Sequence, residues 1–276
     1  TLSFKDIEEI DGATGTDSLD YSSYSTPIEV NIGSRKATGV LAFSSIETVI
    51  GSSANTDSLI GSTNGDSFKI TGEYTGNVNN QVSFLAIEEL DGGNGEDSLD
   101  YSDYRGSFEI NFGGKEATGI DAFSSIESIV GNGEASGVIK GFDDNNQFVI
   151  TGDRKGLLNS IAFTNISEIR GEGSNNTLAV DFERDLITWL IDDVNGGSLN
   201  GLMFQGINNL VGSKQNDIFS FTSGSSLSGN VAGGDGTDTL TYADYGEGIT
   251  IDIARMSATG LASFQGIENI VASNLG

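Results

Sequence analysis

The chain has 276 residues, with 39 Gly, one Pro, no Cys and no His, and its formal net charge is −27. Without His or Cys it cannot use imidazole or thiol catalysis or build ordinary zinc, haem or iron–sulfur sites, which leaves oxygen-preferring cations such as calcium. With 13 basic against 40 acidic residues, we expect no nucleic-acid partner, and no 18-residue apolar run indicates a membrane span.

A short apolar motif recurs along the chain. It reads Phe-x-x-Ile, then a polar residue, any residue and an aliphatic residue, and it occurs seven times. The copies fit a common unit of about 20 residues, a period typical of solenoids. Each copy begins two units after the one before it, except the last, which begins three units later. The seven aromatic residues are Phe4, Phe43, Phe84, Phe123, Phe163, Phe204 and Phe264.

A longer repeat surrounds this motif. Residues 19–24, Leu-Asp-Tyr-Ser-Ser-Tyr, lead to the alternating run 28–32, then to Ala-Thr-Gly at 37–39 and to Phe43. The order recurs over residues 99–123 and 240–264, and in degenerate form over 178–204. Alternation with period two, bounded by Gly, Asn, Asp and Ser, predicts short β-strands. We expect at most a short helix, near residues 182–186.

Short strands that recur in this way can bury their apolar faces by stacking as successive coils. The sequence therefore predicts an all-β fold, a right-handed parallel β-solenoid (β-helix) with about 20 residues per coil and roughly 14 coils. We expect a single domain, 1–276, cut from a longer array, with like residues stacked in ladders and Trp189 in the core. An array of β-sandwiches of about 80 residues is the main alternative, but its halves would not resemble each other.

Glycine-rich turns precede some of these strands. Gly-Gly-x-Gly-x-Asp-x-Leu occurs at 92–99 and 233–240, with one Gly lost at 12–19. A fourth copy, at 171–178, has Asn176 in place of Asp. As purely structural turns, they would use Gly for positive φ and Asp to bind nearby amides. Asp57 and Asp66, nine residues apart, form a weaker tandem.

These turns resemble the nonapeptide of RTX (haemolysin-type) calcium-binding β-rolls. The resemblance implies calcium as a cofactor, held by Asp carboxylates and turn carbonyls. In that family the motif is tandem, whereas here the copies that end at Asp17, Asp97 and Asp238 lie far apart in the chain. The implied metal-binding positions are Asp97, Gly93, Gly95, Asp238, Gly234, Gly236, Asp17, Asp57 and Asp66.

Nearly the whole chain also resembles the repeat regions of giant bacterial surface adhesins, both filamentous-haemagglutinin-like and RTX-type. This implies an extracellular, cell-surface stalk, filament or sheath that serves adhesion or biofilm cohesion. Expected partners are neighbouring repeats, head-to-tail copies of the chain, or surface glycans. A carbohydrate-binding module and a carbohydrate-active β-helix enzyme remain alternatives. We expect no enzyme and no catalytic residue, because acidic residues are so frequent that pairs arise by chance, the arginines are dispersed and the connections are too short to wall a cleft.

Overall fold

The computed structural model describes residues 7–133, 137–184 and 186–272. These residues form strands and no helix, and they build a parallel β-solenoid of about nine turns. The short helix predicted near 182–186 is absent from 182–184, and a strand begins at Leu186. None of the described residues forms a helix that is long and apolar enough to cross a membrane.

The strands of the first half of the chain are short, and most have two to five residues. They are β1 Ile7–Asp11, β2 Ser18–Asp20, β3 Glu29–Asn31, β4 Lys36–Ala37, β5 Val40–Ser44, β6 Thr48–Ile50, β7 Ser58–Ile60, β8 Ser67–Gly72, β9 Thr75–Val78, β10 Val82–Leu85, β11 Glu89–Asp91, β12 Ser98–Asp100, β13 Phe108–Asn111, β14 Glu116–Ala117, β15 Ala122–Ser124 and β16 Ser128–Val130.

The strands of the second half include a longer one, β23. They are β17 Gly137–Lys140, β18 Gln147–Gly152, β19 Lys155–Leu158, β20 Ile161–Thr164, β21 Glu168–Arg170, β22 Thr177–Val180, β23 Leu186–Asp193, β24 Gly196–Leu199, β25 Leu202–Gln205, β26 Asn209–Val211, β27 Asn216–Phe221, β28 Leu227–Ala232, β29 Thr239–Thr241, β30 Ile251–Asp252, β31 Ser257–Ala258, β32 Leu261–Gln265 and β33 Asn269–Val271.

Backbone packing divides the chain into two compact units, residues 1–110 with 115–132, and residues 111–114 with 133–276. In the first unit most strands alternate between two sheets, with strand orders β1-β5-β4-β3-β7-β11-β15 and β2-β6-β10-β9-β8-β12-β16, while β13 and β14 pair with each other in a third sheet. In the second unit the orders are β17-β21-β25-β24-β23-β27-β29-β33 and β20-β19-β18-β22-β26-β28-β32-β31-β30. Each three-residue strand except β33 buries its central residue, so each unit has an apolar core supplied by both its sheets.

The predicted coil size, and with it the predicted number of coils, is not found in most of the structure. Residues bonded across adjacent turns, such as Asp97 with Glu127 and Asn146 with Asn176, are 30 residues apart in sequence. Most parallel strand pairs show steps of similar length, such as 30 residues from Ser98 to Ser128 and 33 from Ile7 to Val40. A step near the predicted one occurs in one turn of the described residues, where β26 pairs with β28 and β27 with β29, and where Asp217 bonds to Asp238, 21 residues on. The usual turn is therefore longer than the repeat unit of the sequence.

A folded-back segment accounts for the longer turn. Six times within the described residues, the chain folds back through three consecutive strands before it moves on. In five of these meanders the three strands are neighbours in one sheet, whereas β15 lies in a different sheet from β13 and β14. Each longer step includes one meander, whereas the short steps from β26 to β28 and from β27 to β29 include none. The meanders are β3-β4-β5, β8-β9-β10, β13-β14-β15, β18-β19-β20, β23-β24-β25 and β30-β31-β32.

The Phe-x-x-Ile motif marks the last strand of each meander. All its phenylalanines from Phe43 onward are buried, while Phe4 lies outside the described residues. The predicted ladder of Phe on Phe is wrong, because the parallel strands place Phe84 beside Val49 and Phe204 beside Ile169. In three meanders the ring also lies against a Gly of the middle strand. A β-carbon on Gly76 would fall 2.6 Å from the ring of Phe84, and one on Gly156 2.9 Å from that of Phe163. The middle strand therefore needs glycine at these positions.

The Asp-Tyr-Ser and Ala-Thr-Gly motifs meet in the remaining meanders. The Tyr101 hydroxyl donates to the Thr118 carbonyl at 2.8 Å, and the Thr118 hydroxyl accepts the Glu109 N–H at 2.9 Å. Tyr21 and Tyr242 make the same bond with Thr38 and Thr259. In the long repeat, the Tyr of the first motif and the Thr of the second therefore hold the strands of one meander together by hydrogen bonds. The prediction that Trp189 fills the core is confirmed, because it is fully buried.

We expect Tyr101→Phe to lower the free energy of unfolding by about 1 kcal/mol, because the partly buried Thr118 carbonyl loses its hydroxyl partner. Urea unfolding followed by circular dichroism measures the change. Tyr104→Phe is the matched control, since the Tyr104 ring packs against Tyr101 without a described hydroxyl contact. Equal losses in both variants would contradict a role for the hydroxyl bond.

Candidate cation-binding turns

An Asp or Asn side chain lies at the start of many solenoid strands. Most of these residues are between 0 and 3% exposed, and only the one in the first turn is partly open to solvent. A buried polar group is costly unless its hydrogen bonds are made, so each of these side chains requires partners. The positions are Asp17, Asp57, Asp66, Asp97, Asn146, Asn176, Asp217 and Asp238.

The backbone N–H of each position is bound by a side chain of the next turn. In the first unit, the Asp66 N–H donates to Asp97 Oδ1 at 2.7 Å, and the Asp97 N–H donates to Glu127 Oε2 at 2.8 Å. In the second unit, the Asp217 N–H donates to Asp238 Oδ1 at 2.8 Å. Side chains thus continue the ladder at turns, where no sheet partner exists. The Asp238 N–H in turn donates to Glu268.

This stacking supplies the tandem neighbour that the glycine-rich turns lack in the sequence. The turn that ends at Asp97 lies against the one that ends at Asp66, 31 residues earlier, and a β-carbon on Gly95 would fall 2.6 Å from the carbonyl carbon of Asn64. Gly95 also has a φ of 131°. Close approach and positive φ together require glycine here. Gly93, Gly234 and Gly236 are held against the preceding turn in the same way.

Asp57 and Asp66, the predicted tandem pair, have both carboxylate oxygens engaged. The Ser52 N–H donates to Asp57 Oδ2 at 2.5 Å, and the Ile28 N–H donates to Asp57 Oδ1 at 2.8 Å. Asp66 accepts the Ser62 N–H through Oδ2 and the Asn79 amide through Oδ1. Each of these turns begins with Gly-Ser, and the serine N–H binds the carboxylate of its own turn.

The glycine-rich turns leave one carboxylate oxygen without a partner. Within the described residues, the Oδ2 atoms of Asp17, Asp97 and Asp238 are buried and accept no hydrogen bond. These are the three Asp residues of the Gly-x-x-Gly-x-Asp motif. The sequence motif and the orphaned oxygens therefore coincide, although nothing in the sequence indicates the unpaired atom.

In two of these turns the N–H of the second residue donates to a different carboxylate. Gly93 has a φ of 89°, and its N–H donates to Asp91 at 3.1 Å instead of to Asp97. Ala13 has a φ of 62°, and its N–H donates to Asp11 at 3.0 Å. In the Gly-Ser turns the N–H at this position caps the Asp carboxylate of the turn, whereas here the Asp two residues earlier accepts it.

The Asn-bearing turn shows what surrounds the orphaned oxygen. In that turn Asn176 Nδ2 donates to the carbonyls of Glu172 at 2.8 Å and Gly206 at 2.9 Å. In the corresponding Asp turn, a β-carbon on Gly92 would collide with both the Ser125 carbonyl oxygen and Asp97 Oδ2. The unpaired carboxylate oxygen therefore lies close to a backbone carbonyl oxygen. An Asn amide at this position can donate a hydrogen bond to that carbonyl, whereas a charged carboxylate is repelled by it.

The electrostatic surroundings of two of these carboxylates also disfavour their charged form. Burial, together with the negative charges of Asp217, Glu268 and Asp235, raises the pKa of Asp238 to about 6. Burial also raises the pKa of Asp97, with Asp66, Glu127 and Asp91 nearby. These carboxylates are stabilised by a positive group, either a proton or a cation. Oxygen-only surroundings suit hard cations such as calcium.

Each candidate turn offers one carboxylate with backbone carbonyls. Among the described residues, no three His, Cys, Asp or Glu side chains form a metal-binding group. Comparison of the chain with protein-family models, with curated proteins and with solved structures finds no match.

We expect Asp97→Asn to raise the free energy of unfolding in chelator at pH 7 by about 1 kcal/mol, because the new amide donates to the carbonyl beside it. Asp66→Asn is the matched control and should be destabilising by about 1–3 kcal/mol, because its oxygens already accept N–H donors. Urea unfolding measures both variants. The same sign for both would contradict the distinction between capped and orphaned turns.

The raised pKa of Asp238 fixes the direction of a pH effect. Because the native state holds this proton more tightly than the unfolded chain, the contribution of Asp238 to the free energy of unfolding should fall as pH rises from about 4 to about 6. In chelator, the difference in stability between wild type and Asp238→Asn should therefore change across this window and level off above it. Urea titrations at half-unit pH steps measure that difference. A difference independent of pH would contradict the raised pKa.

Proposed function

We propose that this chain is a structural module of an extracellular bacterial surface protein, in which calcium stabilises the glycine-rich turns. Its work is mechanical rather than catalytic: backbone ladders join successive turns, and the core residues bind the two sheets of each unit. We take the winding as right-handed, since connections between parallel strands of one sheet almost always are.

The observation that carries this proposal is the set of three orphaned carboxylate oxygens at Asp17, Asp97 and Asp238. A calcium ion at each would be held by the carboxylate and by turn carbonyls. Asp57 and Asp66 would act as capping residues, since their oxygens already accept hydrogen bonds. A single carboxylate per turn implies weak sites, which suit the calcium levels met by extracellular modules, with dissociation constants on the order of 10⁻⁴–10⁻³ M.

The charge of the chain supports the same proposal. A net charge of −27 opposes compaction by self-repulsion, which bound cations relieve. Conversely, a surface this acidic is disfavoured against anionic membranes and nucleic acids. Both the need for cations and the poor fit to anionic partners suit a stalk or sheath segment outside the cell. Bound cations would stiffen such a segment, and its surface would remain acidic.

The test is thermal unfolding in calcium against chelator. We expect calcium at 100 times its dissociation constant to stabilise the fold by about 2.7 kcal/mol per site. The melting temperature should therefore rise, and magnesium at equal ionic strength should raise it less. Loss of the calcium effect is expected in the triple variant Asp17→Asn, Asp97→Asn, Asp238→Asn.

Trp189, the only Trp of the chain, is a fluorescence probe of the turn that contains Asp238. The Trp189 indole N–H donates to Asp217 Oδ1 at 2.8 Å, and the Asp217 N–H donates to Asp238. Calcium should therefore shift Trp189 fluorescence in the folded protein. The matched control for charge is the triple variant of exposed residues Asp181→Asn, Asp192→Asn, Asp244→Asn, which should keep the full calcium response. Equal responses in both triple variants would mean that calcium screens surface charge only.

A further inference from the structure

Five asparagines of this chain are each followed directly by a glycine. In such a pair the backbone nitrogen of the glycine can attack the asparagine side chain, because glycine has no side chain that shields this nitrogen. The reaction requires an asparagine that can rotate towards the nitrogen, and an N–H that water and base can reach. All five asparagines lie in turns between strands. They are Asn64, Asn94, Asn132, Asn195 and Asn200.

Hydrogen bonds restrain two of these asparagines in the first unit. Asn132 Nδ2 donates to the carbonyls of Tyr104 at 3.3 Å and Gly106 at 3.2 Å, so its amide must leave two acceptors before it can react. The Asn64 N–H donates to the Ser62 hydroxyl at 3.1 Å, and the same hydroxyl donates to the Asn64 carbonyl at 3.2 Å. The Ser62 hydroxyl therefore holds the backbone of Asn64 on both sides.

The two asparagines of the second unit are restrained by their backbones. Asn195 and Asn200 have φ values of 53° and 47°, in the left-handed region. The Asn195 N–H donates to the Ser226 carbonyl at 2.7 Å, and the Asn200 N–H donates to the Thr188 carbonyl at 3.4 Å. These bonds hold both asparagines in the turns of one meander.

Asn94 differs from the other four. It is exposed, and within the part of the chain that the structure describes neither its backbone nor its side chain makes a hydrogen bond. The Gly95 residue is exposed as well, and its N–H has no acceptor among the described residues. Water and base can therefore reach the Gly95 nitrogen, and no hydrogen bond has to break before Asn94 rotates towards it.

We propose that Asn94 is a self-modification site, at which the chain converts its own asparagine into an acidic residue. A base removes the proton of the Gly95 N–H, the nitrogen bonds to Asn94 Cγ, and the side-chain nitrogen takes up a proton and leaves as ammonia. Water then opens the cyclic imide. Opening at the side-chain carbonyl leaves aspartate, and opening at the backbone carbonyl leaves isoaspartate, whose backbone is one carbon longer. The net reaction is hydrolysis of one amide and needs no cofactor.

The aspartate product adds a negative charge to the turn that ends at Asp97. The last glycine-rich turn already has this composition, because Asp235 stands there at the position of Asn94. Burial raises the pKa of Asp238, and the charge of Asp235 adds to this effect. Conversion of Asn94 to aspartate thus gives the turn at Asp97 the same additional charge.

The isoaspartate product changes the packing of the turn. A β-carbon on Gly95 would fall 2.6 Å from the carbonyl carbon of Asn64, so this turn has no room for an additional backbone atom. Formation of isoaspartate therefore loosens the contact between the turns that end at Asp66 and Asp97 as the protein ages. This modification goes beyond the scaffold function proposed above, and it requires no cation.

Peptide mapping by mass spectrometry after incubation of the folded protein at pH 8 tests the site. We expect Asn94 to deamidate on the order of tenfold faster than Asn132, because the hydrogen bonds of Asn132 must break first. In the chain unfolded by urea, the two asparagines should react at similar rates, since both precede glycine. Equal rates in the folded protein, or an Asn94 that stays intact there, would overturn the proposal.

The consequence for packing is tested with Asn94→Gln, because a glutamine must close a larger ring and reacts much more slowly. Wild type aged at pH 8 should contain isoaspartate, detected by enzymatic methylation, and should melt at a lower temperature than fresh protein. Aged Asn94→Gln should keep its melting temperature. The matched control is Asn200→Gln, compared with its own fresh sample, which should age as wild type does. Isoaspartate at Asn94 without a lower melting temperature, or equal losses in wild type and Asn94→Gln, would overturn the loosening of the turn.

Discussion

Backbone N–H groups at the turns are the groups that this fold must satisfy before its strands can stack. In a parallel solenoid, the strands bind their neighbours by ladders, but the residue that starts each strand leaves its N–H buried and outside the ladder. Here a carboxylate or amide from the next turn accepts that hydrogen, from Ile28 to Asp57 and from Asp66 to Asp97. The acidic composition of the chain is in part a consequence of this requirement.

The same requirement creates the candidate site. A side chain that accepts the N–H of a neighbouring turn has a second polar atom, which the fold must also accommodate. Gly-Ser turns provide a serine N–H, and Asn turns provide an amide that donates to carbonyls. Glycine-rich turns provide neither, so Asp97 and Asp238 keep an oxygen without a partner. The candidate site therefore lies where the turn itself supplies no donor.

The meanders set the dimensions of the solenoid. A chain that folds back twice within one sheet occupies three strand positions, and the connections that follow must pass over them. Side chains that bond between adjacent turns, such as Asp97 and Glu127, are therefore 30 residues apart, although the Phe-x-x-Ile motif recurs with a different period. Hydroxyl bonds from Tyr101 and close packing of Phe84 on Gly76 hold the two kinds of meander. Where no meander intervenes, as between Asp217 and Asp238, the step falls to 21 residues.

Local chemistry can be read from the sequence alone: period-two alternation specifies the strands, glycine and Asp specify the turns, and an apolar run places Trp189 in the core. These features depend on residues close together in the chain, so one sequence suffices to predict them. Which strands are neighbours depends instead on the tertiary structure. A Phe-x-x-Ile repeat has the same spacing whether its copies stack directly or end a meander. Periodicity alone does not show whether the chain continues into the next turn or folds back as an antiparallel strand. The pairing of Asp66 with Asp97, and the unpaired oxygen of Asp97, follow only from that choice of neighbours.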